Sequence, residues 1–188
     1  DVSAACYFYA LAAATGKWAM VKRMRKESLQ GDMKFIKLLE KMGCTVSWER
    51  DGRQNLWLKG PDGKLKGMEV KMSDFSDQAL TLAAIAPFAD SEVTITGIAH
   101  IRGQESDRIK VIVDELAKMG ILCNELPDGV KIHPGTPKNT NIETYNDHRV
   151  AMSFAVTGLA GDGMTILNPM CCKKTFAGFF DEIDRLEE

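Results

Sequence analysis

The sequence predicts an α/β domain (α+β in its mixed sheets) of pseudo-three-fold design, in which βαβαββ-type repeats surround buried helices with small mixed sheets. Three observations predict it. "KMG" at Lys41–Gly43 returns at Lys118–Gly120, and "DG" at Asp51–Gly52 returns at Asp128–Gly129, each 77 residues later. A fixed period between similar segments signals duplicated structural units. The surrounding text also repeats, "FIKLLEKMGCTVSWERDG" against "VIVDELAKMGILCNELPDG". Each copy reads as an amphipathic helix, a glycine C-cap, a strand and a tight turn into a second strand. Upstream of each copy lies an Ala-rich helix that is apolar nearly all round, the mark of an interior helix.

In chain order, the first unit opens with the helix Val2–Thr15 and a strand in "KWAMVKR", and closes with the first KMG segment. The second runs from "DQALTLAAIAPFA" through "EVTITGI" to the second KMG segment. The third is shorter: "DHRVAMSFAVTGLA", the strand "MTIL" and a last helix in "TFAGFFDEIDRLEE". Alternating helices and strands alone would also allow a Rossmann-like sheet. The paired strands after each KMG argue against it.

At 188 residues the chain is one domain, or one half of a larger two-domain enzyme. It opens at Asp1, without Met, directly into a helix, as expected of a fragment cut from a longer protein. An apolar content of 45% supports a core, and a net charge of −2 gives no reason to expect nucleic acid or a membrane surface as partner. No apolar run is long enough to span a bilayer. The five cysteines are odd in number and scattered, which suits a reducing cytoplasm better than a disulfide framework or a zinc site. The adjacent Cys171 and Cys172 read as packing thiols.

The stretch "YNDHRVAMSFAV" raises the question of function, because Asp147, His148 and Arg149 open an otherwise apolar helix. Capping accounts for an aspartate at such a place. Asp1, Asp77 and Asp147 each stand at the start of an Ala-rich helix, so three positive helix ends would converge on one region. Capping does not account for Arg149. In "AHIRGQESDRIKVIVDEL" a helix is expected to begin near Glu105, with Glu105 and Arg108 continuing the buried stripe of Ile109 and Ile112. A Glu–Arg pair closing the end of the core is the structural alternative. Arg102, Arg108, Arg149 and Lys174 fall at equivalent strand-to-helix junctions, and guanidinium forks suit carboxylate and phosphate oxygens. The residues alone give a small polyanion site with acids suited to proton transfer. "GLAGDG" has its glycines in the wrong order for a dinucleotide site, and His100, His133 and His148 are too scattered for a metal.

The chain closely resembles the C-terminal domain of the 5-enolpyruvylshikimate-3-phosphate synthase family. The likeness runs in order through "SAACYFYALAAATG", "SLQGDMKFIKLLEKMG", "DFSDQALTLAAIAPFA", "ITGIAHIRGQESDRI", "TYNDHRVAMSFAV" and "CKKTFAGFF". The resemblance implies transfer of the enolpyruvyl group of phosphoenolpyruvate to the 5-hydroxyl of shikimate 3-phosphate, with release of phosphate and without metal or cofactor. It makes Asp77 the proton acceptor near that hydroxyl and Glu105 the proton donor to the methylene carbon. It gives phosphoenolpyruvate to Arg108, Arg149 and Lys174, shikimate 3-phosphate to Asp77, Gln104 and His100, and a pocket-lining place to His148. Gln104 stands where the family usually has Lys, His100 where it has Asn, and Ala177 where it has Pro. The family's active site lies between two domains of a monomer. The resemblance therefore implies a partner N-terminal domain, a short N-terminal segment that fills a sheet strand here, and no turnover by this half alone. The enolpyruvyl transferase acting on UDP-N-acetylglucosamine and a non-catalytic anion-binding module of the same fold are the alternatives.

Overall fold

The two KMG glycines stop two helices in the same way. In the computed structural model, which describes residues 2–22, 24, 30–49 and 55–187, Gly43 and Gly120 have φ of 108° and 77°. Each follows an amphipathic helix. The Gly43 and Cys44 amides turn back to the Glu40 and Leu39 carbonyls, and the Gly120 and Ile121 amides to those of Ala117 and Leu116, all at 2.9–3.0 Å. This paired bonding satisfies the last open carbonyls of a helix and needs a residue that accepts positive φ.

The first unit holds α1 (Val2–Thr15), β1 (Trp18–Val21), α2 (Gln30–Lys41), β2 (Thr45–Trp48) and β3 (Leu56–Lys59). The second holds β4 (Glu69–Lys71), α3 (Ala79–Ile85), β5 (Val93–Thr96), α4 (Arg108–Lys118), β6 (Cys123–Leu126) and β7 (Gly129–Ile132). The third holds β8 (Asn141–Ile142), α5 (His148–Ala160), β9 (Thr165–Ile166) and α6 (Phe179–Glu187). The sheets are ordered β1-β3-β2, β4-β5-β7-β6 and β8-β9. Antiparallel pairing of β6 with β7 through Leu126 and Gly129 gives the tight turn expected at Asp128–Gly129. Its counterpart at Asp51–Gly52 lies outside the described residues, as does Asp1. β4 runs parallel to β5, and β8 parallel to β9. The matching place beside β1 holds no strand among the described residues. Instead an apolar groove of about 880 Å³ opens there, lined by Phe8, Leu11, Trp18, Met20 and Phe176.

α1, α3 and α5 pack against one another in the middle of the domain. All seven residues of α3 are buried, as are Val150–Gly158 of α5, so the Ala-rich helices are interior as the sequence implies. Small side chains let α3 and α5 approach closely enough for a cross-bond, Thr157 donating to the Ala84 carbonyl at 2.7 Å, and Tyr9 ties α1 to β3 through the Leu56 carbonyl at 3.0 Å.

The three-fold relation has one further expression. Near its start, each outer helix meets an inner helix, twice at the latter's beginning and once along its length. Asp32 of α2 accepts from Gln78 ahead of α3 at 2.8 Å, Arg108 of α4 bonds Asp147 ahead of α5, and Phe179 of α6 sets its ring 5.7 Å from that of Tyr7 in α1.

All five cysteines are free. Burial pushes the Cys44, Cys123 and Cys172 thiols up to about 12, with nearby Glu40, Glu125 and Cys171 adding to the shift. Thiolates are the reactive form. These three should therefore resist iodoacetamide at pH 8 in the native protein and react once urea is added, as peptide mass spectrometry would read out.

Candidate active site

The site is organised around a buried carboxylate that the sequence presents as a mere cap. The chain leaves β8 and turns through Tyr145 and Asn146, whose φ values of 53° and 55° are left-handed. It delivers Asp147 to the start of α5, where one carboxylate oxygen accepts from the Arg149 amide at 3.0 Å. So Asp147 does cap its helix. Its side chain has no exposed surface, and it takes three further donors: Arg108 Nε at 2.8 Å, Arg108 Nη2 at 3.2 Å and Ser106 Oγ at 2.9 Å. Burial alone would push the Asp147 carboxyl up. The bonds and charge of Arg108, helped by Ser106 and the Arg149 amide, outweigh it and hold the group below the usual carboxylate range.

With Nε and Nη2 committed to Asp147, Arg108 has Nη1 left. That nitrogen donates to the Gln104 carboxamide oxygen and lies 3.9 Å from an Asp77 oxygen. Arg149 reaches the same acid: Nη2 is 3.3 Å from Asp77 Oδ2, and Nη1 is 3.4 Å from the Asp77 carbonyl. Asp77 thus stands between two guanidinium groups, with 58% of its side chain exposed. It makes no cap bond to α3, contrary to the simple capping expectation. His100 bonds Ser76 Oγ at 2.7 Å, directly beside Asp77. On the other side of Asp147, His148 Nδ1 lies 3.0 Å from Glu105 Oε2. Cys172 Sγ approaches the His148 carbonyl at 3.7 Å, which places the short turn Pro169–Lys174 against the start of α5. Lys174 ends that turn, exposed and with no ion pair among the described residues.

Two expectations are corrected. α4 begins at Arg108, not near Glu105, because Asp107 accepts from the Lys110 amide at 3.1 Å and so takes the cap position itself. Glu105 is left ahead of the helix with 51% of its side chain exposed, paired with His148 and not with Arg108. Arg102 does not join the other cations. It pairs with Glu125 at 2.7 Å and Asp107 at 3.4 Å and donates to the Leu126 carbonyl, tying its own turn to β6. Sequence reasoning missed Ser106, whose signal was its place two residues before the buried arginine. It also missed that Arg108 is anchored by Asp147, 39 positions away.

Ligand atoms of Glu105, Asp147 and His148 lie within 4.8 Å of one another. The Asp147 oxygens already carry a guanidinium fork, a hydroxyl and an amide, so a cation there would have to displace Arg108. The arrangement suits an anion instead. A guanidinium group held in place can stabilise charge as it builds, and carboxyl groups half-open to solvent are of the kind that can exchange protons.

Residues 1–183 match the EPSP synthase (3-phosphoshikimate 1-carboxyvinyltransferase) family. A protein of that second name from Nostoc punctiforme is 46% identical over 188 residues, and one from Trichormus variabilis is 45% identical over 180. These alignments take in 100% and 96% of this chain and 43% and 41% of the relatives, so the chain spans less than half of their length. The structure of EPSP synthase from Acinetobacter baumannii superposes with a TM-score of 0.83 at 30% identity, covering 98% of this chain and 45% of that one. The enolpyruvyl transferase NikO from Streptomyces tendae shares the fold, with a TM-score of 0.73 at 17% identity, over 99% of this chain and 42% of that one. By its sequence match over nearly its whole length, this chain belongs to the EPSP synthase family.

Proposed function

We propose that the chain forms one side of an active site that moves the enolpyruvyl group of phosphoenolpyruvate to the 5-hydroxyl of shikimate 3-phosphate and releases phosphate. In this reading it is the C-terminal domain of a two-domain, monomeric cytoplasmic enzyme, and the remaining contacts come from the other domain. The cytoplasm is supported by five free thiols, and no helix among the described residues is long and apolar enough to cross a membrane.

The observation that carries the reading is the unequal treatment of the two arginines. Arg108 is locked by a buried carboxylate, so it stays in place whether or not an anion is bound. Among the described residues the ion pair of Arg149 is with the half-exposed Asp77, a weaker hold than the buried fork on Arg108. An incoming carboxylate or phosphate can take Arg149 over and leave the Asp77 oxygens free to accept the 5-hydroxyl proton. Lys174, exposed and without an ion pair among the described residues, adds a third cation. Glu105 shares a hydrogen bond with His148, so a proton for the methylene carbon can be held between them. Gln104 and His100 complete the shikimate 3-phosphate side. Gln104 also accepts from Arg108, which a lysine there would instead repel.

Phosphate release from phosphoenolpyruvate tests this. The isolated chain should release none. The chain joined to an N-terminal domain of the family should release phosphate with shikimate 3-phosphate and none with UDP-N-acetylglucosamine. Release only with the nucleotide sugar, or with neither acceptor from a folded protein, would overturn the assignment.

A further inference from the structure

The face of α4 that carries Arg108 carries a second buried ionic group two turns later. Glu115 has no exposed side-chain surface. Its carboxylate accepts from Lys118 Nζ at 2.7 Å, the Tyr145 hydroxyl at 2.8 Å and the Glu143 amide at 3.2 Å. A carboxylate withdrawn from water is tolerated only when donors surround it, and two of these three come from the loop that leads into α5. Positions 108 and 115 share a helix face and stand about 10 Å apart along the axis.

The loop is therefore fastened to α4 at two places, by Glu115 at its beginning and by Arg108 at Asp147. Between them lie Tyr145 and Asn146, in a backbone conformation that residues with side chains hold only under constraint. Inside the turn, the Thr144 and Tyr145 amides donate to Glu143 Oε1 at 3.1 and 3.3 Å, and the Asp147 amide to the Thr144 carbonyl at 2.8 Å. His148 and Arg149 follow at once and take their direction from it. Burial, and then the bond to Glu115, push the Tyr145 hydroxyl above its ordinary value, so it remains a donor through neutral pH.

We infer that Glu115 is a positioning residue for the anion-holding side of the site: by gripping the Tyr145 hydroxyl it keeps the left-handed turn closed and so sets the place from which the Arg149 guanidinium reaches the anion. The identity of the anion rests on the function proposed above; the geometry does not. The test uses the complete two-domain enzyme, with Tyr145→Phe as the first variant and Glu115→Ala and Glu115→Gln beside it. Tyr145→Phe and Glu115→Ala should raise KM for phosphoenolpyruvate about tenfold, with kcat and KM for shikimate 3-phosphate within about threefold of the parent. Glu115→Gln, which keeps an acceptor oxygen, should recover part of the loss. Amide hydrogen exchange at residues 146–149 should quicken about tenfold while the interior of α4 is unchanged.

A lower melting temperature and lower kcat with parental KM would indicate a merely structural role and overturn the proposal, as would parental KM and exchange in Tyr145→Phe. That variant decides the matter if Glu115→Ala does not fold. A parent enzyme without turnover would overturn the function instead, and exchange at residues 146–149 would still judge the turn.

Discussion

Arg108→Ala is expected to destabilise the protein by about 3–5 kcal/mol, the range for removing one partner of a buried ion pair. The change leaves Asp147 fully enclosed with only the Ser106 hydroxyl and the Arg149 amide as donors. Replacing both partners by apolar side chains, as in Arg108→Met with Asp147→Leu, should cost less than the sum of the two single changes, because no charge is then stranded. Urea unfolding of the four proteins measures this coupling. The pH dependence has a definite sign. The folded value of Asp147 is depressed, so its contribution is fully present above the unfolded carboxylate value of about 4 and is lost as pH falls through the lower folded value. The gap between parent and Arg108→Ala should therefore be wide at pH 7 and shrink at pH 3. A gap independent of pH would refute the assignment of that stability to the pair.

The second large effect is catalytic. In the two-domain enzyme, Asp77→Asn and Glu105→Gln should each lower kcat by about 10²–10⁴-fold, the usual scale for a positioned acid or base. Neither change removes a cation, so KM for phosphoenolpyruvate should not rise. Asp77→Asn should even lower it, because the neutral amide gives up the charge that holds Arg149 in the empty site. Steady-state phosphate release separates the two constants. Turnover within tenfold of the parent in both variants would remove Asp77 and Glu105 from the proton transfers.

How much of this was legible in the sequence depends on the range of the interactions. The glycine stops, the Ala-rich interior helices and the hairpin after the second KMG are set by residues close in the chain, and all stand as expected. The helix start at Arg108 was not legible. Ser106 and Asp107 are both able to cap, and periodicity projected Glu105 inward; only the bond from Asp107 to the Lys110 amide decides the start. The pairing of Arg108 with Asp147 was hidden for the opposite reason, since it joins two repeats that only the folded domain brings together. Arg102 looked like its neighbours in sequence, yet Glu125 on the adjacent strand claims it.

The meetings of outer and inner helices, alike in place and different in chemistry, imply unequal tolerance to substitution. Where Phe179 rests on Tyr7, another large apolar side chain changes packing alone, because such contact is non-directional. Where Gln78 donates to Asp32, both groups are buried, so a donor too short to reach leaves the carboxylate wanting. Where Arg108 forks onto Asp147, even lysine fails, since one ammonium cannot span both oxygens. A threefold scaffold thus keeps one forgiving apolar meeting, while the other two are free to become polar, and one of them rigid and specialised.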